Sequence, residues 1–561
     1  MKNIMKRFQS MQQHKITIVM LIAGFIYFSW SCSKIGSEIN NPLEKLNLQV
    51  RVVGIDETVR QGNSGSQARI GFESTTLAPT QEFAGFDATV EVDHQLQPKG
   101  RRAVLKSGSK NSKGNSLYGA LMDPGVKYRL FLYKADNTFV SSTVLTSDIA
   151  ATIAVEAGVS YKWYALSYNS SETPMDIDPL NPTVTTLNMP EGKDILYDAG
   201  TFNVPTGPTP INVAINILFN HKVSRIGVEL NSMGMFANMT AGTVSISGLT
   251  LNTGSFDISD GTWKSYTPYT ASLDWSKFGN VDPAYSDRKI AYFFTAKEEL
   301  ISGIGVQLSG LDLAIDDNST RSFNTLLAAT PSVFNFNVTP QVANDHRLLI
   351  NLIESPLTIG GKKWARTNLY YVAGHNAYRF HHTYAHTDAR NTFFSFKGVV
   401  PENFGINGDP CALVYPAGKW IQPSDADFIN VMSPTDTYTT YGSIGGLGYF
   451  EYTNSTGTAA PYPGKNLRFN FNGGSTDVTV LGGVVNVTLG NYGNVAEIWT
   501  SSSGLILPLD VALSAWHYDG KRTLGANDDK VAAQLLNVSA IGVDVVESPF
   551  KNIRCIRAPG Q

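Results

Sequence analysis

The chain contains the aromatic stretch Tyr161-Lys162-Trp163-Tyr164-Ala165-Leu166-Ser167-Tyr168-Asn169. Aromatic and small apolar residues in such a run favour a β-strand of a sandwich core or edge. Just upstream, residues 126–133 alternate apolar and polar side chains, which is the period of a strand with one buried face. A turn at Ala135-Asp136-Asn137 and a second apolar pair, Phe139-Val140, follow. This order predicts a β-hairpin leading to the aromatic strand.

The same strand pattern extends in both directions from this stretch. Residues 46–52 alternate, and so do residues 213–219 and 226–230, and short strands continue to Val338. Regular short strands without helical periods between them are typical of all-β sandwiches and not of parallel α/β sheets.

Two changes in the sequence suggest domain boundaries. The segment Pro205-Thr206-Gly207-Pro208-Thr209-Pro210 cannot lie inside a sheet, because proline has no amide donor. From about residue 344 the chain gains His, Trp and Gly-rich loops and loses clean alternation. A chain of 561 residues is too long for one core. We therefore expect sandwiches at 46–204 and 211–342 and a further domain at 346–561.

The composition limits the class of partner. Charged residues make up 16% of the chain, and the net charge is -3. Such a balance gives no electrostatic reason to expect nucleic acid as a partner.

The amino-terminal residues predict export and lipid anchoring. A basic start is followed by an apolar run at 16–28 and by Ser29-Trp30-Ser31-Cys32. The run is short for a membrane span and is flanked like a secretory signal. Small residues before Cys32 resemble a bacterial lipobox, which implies a signal peptide at 1–31, acylation of Cys32 and a polar tether at 32–45. A plain signal peptide with an incidental cysteine, or an uncleaved anchor helix, remains the alternative.

Two further cysteines, Cys411 and Cys555, form one candidate disulfide. Disulfides persist in oxidising compartments, and neither residue has the nearby second cysteine that a zinc site would need.

The first half of the chain contains three motifs of one family: Gly125-Val126-Lys127-Tyr128-Arg129-Leu130, the aromatic strand at 161–169, and Phe219-Asn220-His221-Lys222-Val223-Ser224-Arg225-Ile226. Together they resemble the fimbrillin family of Bacteroidetes lipoproteins over residues 45–340. The resemblance implies two tandem transthyretin-like β-sandwiches in a pilus subunit, a pilus tip or a related surface protein. It also implies removal of the leader and first strand by a trypsin-like protease, after which a neighbour's strand fills the groove. Arg60 and Arg69 follow the candidate first strand and are the candidate processing sites; the alternative is that both are ordinary loop residues.

The last third contains five segments that match another family in order and spacing: Lys363-Trp364-Ala365-Arg366-Thr367-Asn368-Leu369, Gly408-Asp409-Pro410-Cys411, residues 415–428, Ile498-Trp499-Thr500-Ser501-Ser502, and Asn552-Ile553-Arg554-Cys555-Ile556-Arg557. They resemble the FISUMP (Fibrobacter succinogenes major) domain. The resemblance implies a loop-rich α+β fold similar to C-type lectins, and it implies pairing of the cysteines at 411 and 555.

Several polar and aromatic residues in this part could carry chemistry or structure. A histidine group at 375–388 matches no known zinc pattern, because the acid that a metalloprotease helix needs between its histidines is missing. Asp425 and Asp427 follow a natural N-cap, Ser424, and are expected to cap a short helix. Four tryptophans are expected to be core residues and not a glycan platform: Trp364, Trp420, Trp499 and Trp516.

These observations predict a mainly β, outer-membrane, surface-exposed lipoprotein that acts in adhesion, as a fimbrial tip-type or fimbrillin-like protein. The alternative is a glycan-binding accessory lipoprotein without a pilus role. We expect no catalytic residues, no cofactor and no metal. The expected partners are the outer membrane through the lipid, fimbrial subunits, and host or bacterial surface glycans.

Overall fold

The structure is a computed structural model and confirms that the protein is mainly β. Several sequence predictions concern residues outside the part of the chain that it describes, namely the signal peptide, Cys32, the tether, Arg60 and Arg69. The described residues are 45–56, 78–93, 119–206, 214–401, 408–431, 439–481, 484–506, 510–518, 530–535 and 550–561.

The strands before residue 222 follow the alternation of the sequence. They are, in chain order, β1 (Lys45–Asp56), β2 (Gln81–Glu82), β3 (Phe86–Asp93), β4 (Gly119–Ala120), β5 (Lys127–Lys134), β6 (Phe139–Thr146), β7 (Ala151–Glu156), β8 (Ser160–Ser167), β9 (Thr186–Asn188), β10 (Leu196–Asn203) and β11 (Ala214–His221).

Sandwich 1 is formed by β1, β4 to β8, β10 and β11. Its sheet runs in the order β4-β1-β11-β10-β8-β5-β6, with β7 also paired to β1. The contact between β10 and β11 is limited to two residue pairs, so the sheet folds over on itself there. The enclosed core contains buried side chains from both halves, including Leu48, Tyr128, Ala165 and Ile217.

The middle strands follow without long helices between them. They are β12 (Ser224–Gly234), β13 (Asn238–Ser247), β14 (Thr250–Asp257), β15 (Thr262–Thr270), β16 (Gly279–Asp282), β17 (Tyr285–Thr295), β18 (Ile301–Ala314), β19 (Thr320–Ser322), β20 (Ser332–Val338) and β21 (Asp345–Glu354), with a 3₁₀ helix at Trp275–Lys277 and the helix α1 (Asn324–Ala329) between β19 and β20.

Sandwich 2 packs two sheets face to face. One has the order β16-β17-β12-β21-β3-β2, and in the other β18 pairs with β13, β19 and β20. Apolar side chains from the inner faces, such as Val228, Val306 and Ile350, are completely buried between them. A third sheet, β15-β14-β9, packs Phe256 and Ile258 against the outer face of β5 and β8 in sandwich 1.

The predicted boundaries do not coincide with the sheets. Strand β3 pairs with β21 over eight residues, from Arg347↔Asp93 to Glu354↔Phe86, and so belongs to sandwich 2. Strand β11 lies beyond the predicted boundary near 205–210, yet it pairs with β1 in sandwich 1. Strand β21 extends sandwich 2 to Glu354, past the predicted end at 342. Alternation shows which face of a strand is buried, but it does not identify the strand's partner.

The C-terminal module comprises the described residues from 355 to 561 and contains short strands and loops. Its strands are β22 (Leu357–Ile359), β23 (Lys362–Trp364), β24 (Leu369–Tyr371), β25 (Tyr378–Phe380), β26 (Trp420–Ile421), β27 (Thr439–Ile444), β28 (Leu447–Tyr452), β29 (Leu467–Asn470), β30 (Gly474–Leu481), β31 (Val484–Gly490), β32 (Ala496–Ile506), β33 (Asp510–Tyr518), β34 (Lys530–Leu535) and β35 (Ile556–Arg557). The helices are α2 (Asp425–Val431) and 3₁₀ turns at Arg390–Thr392 and Pro410–Leu413.

Among the described residues, no helix combines the length and apolarity that crossing a bilayer requires.

Candidate functional site

Strand β1 occupies a groove between two strands that come later in the chain. On one side it pairs in parallel with β11, from Gln49↔Ala214 to Ile55↔Phe219. On the other side it pairs antiparallel with β7, from Lys45↔Glu156 to Val50↔Ala151. Because β1 is hydrogen-bonded on both edges, its departure would leave two strand edges free at once.

The side chains of β1 explain how it is held. Leu48 and Val50 point into the core of sandwich 1 and are essentially inaccessible to solvent, whereas Gln49 between them is exposed. Burial of each such apolar side chain contributes about 2 kcal/mol. Arg51 on the outer side donates from Nε to Asn216 Oδ1 at 2.5 Å. The groove therefore selects a strand with apolar residues at alternate positions.

Strand β35, in contrast, is fixed in place. It lies between β23 and β26, and the residue before it, Cys555, forms a disulfide with Cys411. The neighbouring Arg554 is completely enclosed and donates to the backbone carbonyls of Ala365, Arg366 and Arg468. A covalent bond and a buried guanidinium thus tie this end of the described chain to the C-terminal module.

Arg557 ties β35 to sandwich 2 as well. Its guanidinium stacks 3.9 Å from the ring centre of Trp420 and donates to Asp87 on β3 at 2.8 Å and to the Glu354 carbonyl at 3.0 Å. Burial raises the pKa of Asp87 to about 6 even though Arg557 opposes that shift. The pair is therefore strongly desolvated, and the loss of either member would leave a buried charge.

A second contact of this kind surrounds Tyr462 of the C-terminal module. The guanidinium groups of Arg321 and Arg366 lie 4.8 and 3.8 Å from the centre of its ring. Arg321 belongs to β19 of sandwich 2 and also pairs with Glu354 at 3.2 Å. The tyrosine thereby joins the hydrophobic core of sandwich 2. Sandwich 2 and the C-terminal module share this buried interface.

The histidines at 375–388 do not converge on one point. His375 Nε2 lies 2.6 Å from Asp287 Oδ2, and its ring stacks on Tyr285. His382 Nε2 lies 2.7 Å from Asp317 Oδ2, while His386 Nε2 bonds the Gly448 carbonyl at 2.7 Å. Within the described ranges, no group of three or more His, Cys, Asp or Glu residues is placed to hold a metal ion.

Two of these histidines instead form contacts between domains. Asp287, Asp316 and Asp317 belong to sandwich 2. Asp287 and Asp316 bind side chains of the β24–β25 hairpin in the C-terminal module, and Asp317 binds His382 just after the hairpin. Besides the two histidine contacts, Asp316 Oδ2 accepts from Tyr370 Oη and from Arg379 Nη1, each at 2.6 Å. His381 lies between His375 and His382 in sequence. Burial lowers the pKa of its imidazole to about 4, so His381 is neutral at pH 7.

The two carboxylates of α2 serve the helix and its surroundings. Asp427 Oδ2 accepts from the Ser424 backbone N–H and hydroxyl, both at 2.8 Å, and its other oxygen pairs with Lys362. Asp425 Oδ1 accepts from the Thr500 hydroxyl at 2.8 Å. Asp427 thus satisfies the N–H of the capping residue, as in a capping box.

The tryptophans confirm the core prediction. Trp364, Trp420 and Trp499 are fully buried, and Trp516 is nearly so. Trp499 Nε1 donates to the Phe394 carbonyl at 2.9 Å. None of the four offers an exposed ring on which a sugar could stack.

Comparisons with known proteins leave the family of this chain open. No family model matches it, and no curated protein matches it. Three similar solved structures are described as a candidate cell adhesion protein from Bacteroides fragilis, the fimbrial anchor protein Mfa2 from Porphyromonas gingivalis, and a fimbrial assembly protein from Parabacteroides distasonis. The identities are 12%, 15% and 11%, and the TM-scores are 0.30, 0.21 and 0.21. The matches cover 56%, 35% and 40% of this chain and 94%, 72% and 82% of the others. Similarity at this level does not decide the function of this chain.

Proposed function

We propose that this protein is a cell-surface lipoprotein of the fimbrillin type that acts in adhesion, as the tip subunit of a fimbrium or as a free-standing adhesin. In this proposal Cys32 carries the lipid, residues 32–45 form the tether, and the protein faces outward from the outer membrane. The C-terminal module makes the adhesive contact, to a host or bacterial surface, without a cofactor or a catalytic step.

The observation that carries the proposal is the position of β1. A strand at the start of the described chain lies between β7 and β11 and supplies alternate apolar side chains to the core. Strand addition needs such a groove, because main-chain hydrogen bonds give affinity and alternate pockets give specificity. Arg60 and Arg69 lie between β1 and β2 in sequence, where cleavage would release β1 from the rest of the chain.

A tip position is favoured over a stalk position by the state of β35. This strand has neighbours on both sides and is anchored by the disulfide and by two enclosed arginines. It is therefore unsuited to leave its sheet and fill the groove of another subunit. The protein can accept a strand at the β1 groove but does not donate β35.

The test is arginine-specific proteolysis of the purified full-length chain, followed by addition of a pilus subunit that has a free donor strand. We expect cleavage after Arg60 or Arg69, loss of the β1 peptide and capture of one donor subunit per chain. A variant with both arginines changed to alanine is the control and should capture none. If the cleaved chain retains β1 and captures no donor, the strand-exchange proposal is wrong.

The adhesive role needs a separate measurement. The intact chain, and not the isolated C-terminal module, should be applied to a glycan array, since the module shares a buried interface with sandwich 2. Aggregation of bacteria without sugar selectivity supports the adhesin. Selective sugar binding without any association with fibres would instead support the glycan-binding accessory protein.

A further inference from the structure

Strand β6 is an edge strand whose chemistry differs from that of protected edges. It ends the sheet of sandwich 1 and, among the described residues, pairs only with β5. Its sequence, Phe-Val-Ser-Ser-Thr-Val-Leu-Thr, contains no charged residue and no proline. Proteins usually protect exposed edges with lysine, proline or very short strands, because free backbone groups recruit other strands.

The hydrogen bonds of β6 show which backbone groups face outward. Ser147 donates its N–H to the Val126 carbonyl, and the register then pairs Leu145 with Tyr128 and Thr143 with Leu130. In an antiparallel ladder the bonded positions alternate, so these odd-numbered residues bond to β5. The N–H and C=O groups of Ser142 and Val144 consequently point away from the sheet. A bulge at Val140 ends the regular edge on the other side.

An apolar surface lies beside this edge. Arg129, which is opposite Val144 in the ladder, donates from Nη1 to the Ser142 hydroxyl at 2.9 Å and from Nε to the Pro174 carbonyl at 3.0 Å. These bonds place the loop containing Met175 next to the strand. Both Val144 and Met175 are more than a third exposed. The nearby Asp176 carboxylate is neutralised by Arg129 at 2.7 Å.

An exposed apolar side chain lies near each end of β6. Tyr133 donates to the Pro182 carbonyl at 3.0 Å, which holds the loop with the 93% exposed Leu180 near the start of β6. Ile149, 60% exposed, follows its end. Antiparallel pairing of two identical edges brings the Leu180 end of one copy to the Ile149 end of the other.

We propose that β6 is a self-association surface, through which two copies of this protein pair antiparallel about a two-fold axis at Thr143. Ser142 of each copy then bonds Val144 of the other, and no like charges face each other across the strands. This matches the isologous geometry of most protein dimers. In the order of the sheet, β6 is separated from β1 by β11, β10, β8 and β5, so the pairing does not depend on strand exchange.

The test combines charge insertion and cross-linking in the full-length protein. Val144→Lys places two ammonium groups near the axis and should weaken dimerisation about tenfold or more in analytical ultracentrifugation, since like charges across strands repel. Thr267→Lys adds the same charge on the exposed strand β15 and should leave dimerisation unchanged.

Thr143→Cys supplies an independent measurement. Directly opposite non-bonded residues lie about 4.5 Å apart, within disulfide range. Under mild oxidation we expect a covalent dimer above the level of the unmodified protein, whereas Ser265→Cys on β15 should give none. A monomeric protein at high concentration, or equal cross-linking at both positions, would overturn the proposal.

Discussion

The guanidinium of Arg557 lies 2.8 Å from the carboxylate of Asp87, although 470 residues separate them in the chain. Both side chains are buried, and burial raises the pKa of Asp87 while it lowers that of Arg557. The pair connects the strand next to the disulfide with a strand near the amino-terminal end of the described chain. It therefore couples the C-terminal module to sandwich 2.

Arg557→Met should destabilise the protein by about 3–5 kcal/mol, because it leaves the buried Asp87 carboxylate without its counter-ion. Urea unfolding followed by tryptophan fluorescence measures the loss. Lys134→Met, in the partly exposed pair with Glu156, is the matched control and should change stability little. Equal effects of the two substitutions would contradict the account.

Stability should fall on acidification between pH 6.5 and 4 because of His381. Its folded pKa is lowered to about 4 by burial, with His382 and Arg554 adding to the effect, whereas the unfolded value stays near 6.5. The unfolded chain then binds the proton first, which costs on the order of 3 kcal/mol once pH has fallen through the folded value. His381→Gln should flatten this part of the stability profile measured by denaturant titration. An unchanged slope in the variant would show that another group is responsible.

Protonation of Asp87 should stabilise the protein on acidification, which is the opposite of the His381 effect, over nearly the same pH range. Its folded pKa is raised to about 6, so the folded state takes up a proton before the unfolded state as pH falls from 6 to 3.8. The stability that this contributes is complete below pH 3.8 and is lost as pH rises through 6. In the Asp87→Asn variant the net acid destabilisation should therefore be steeper than in the unmodified protein. A shallower profile in that variant would contradict the sign of this pKa shift.

Cys411→Ser and Cys555→Ser should each destabilise the protein by up to about 5 kcal/mol, since the bond closes a loop with a sequence separation of 144. Thermal unfolding with and without reductant checks this. Reductant should lower the melting temperature of the unmodified protein and leave the double variant unaffected. If reductant still lowered the melting temperature of the double variant, the effect would not come from this disulfide.

Leu48→Ala should cost about 2–5 kcal/mol, because it removes a buried anchor of β1. It should also speed hydrogen exchange in β1, β7 and β11 more than elsewhere, as expected if β1 is the strand that leaves. Gln49→Ala, one residue away and exposed, is the control and should stay within about 0.5 kcal/mol. Uniform acceleration across both sandwiches would argue against local release of β1.

The sequence predicts the local part of this structure well. Alternation at 126–133 and the aromatic run at 161–169 correspond to β5 and β8, and the four tryptophans are buried. The sequence does not show which strands pair when they are far apart in the chain. Phe86 and Ala88 have the pattern of a buried strand, but the residues around them do not indicate that the neighbouring strand is β21.

The partners of the histidines at 375–388 could not be predicted from the sequence either. Their closeness in sequence raises the question of a metal, whereas their actual partners, Asp287 and Asp317, lie in sandwich 2. The sequence around each histidine does not indicate which distant carboxylate it will bind. Only the packing of the C-terminal module on sandwich 2 assigns these side chains to an interface.

Whether β1 is the exchangeable strand is tested most directly by the intact mass of the chain recovered from fibres on the bacterial surface. We expect a chain that begins just after Arg60 or Arg69, lacks β1 and still contains β35 with its disulfide. A fibre-associated chain that retains residues 45–56 would contradict it.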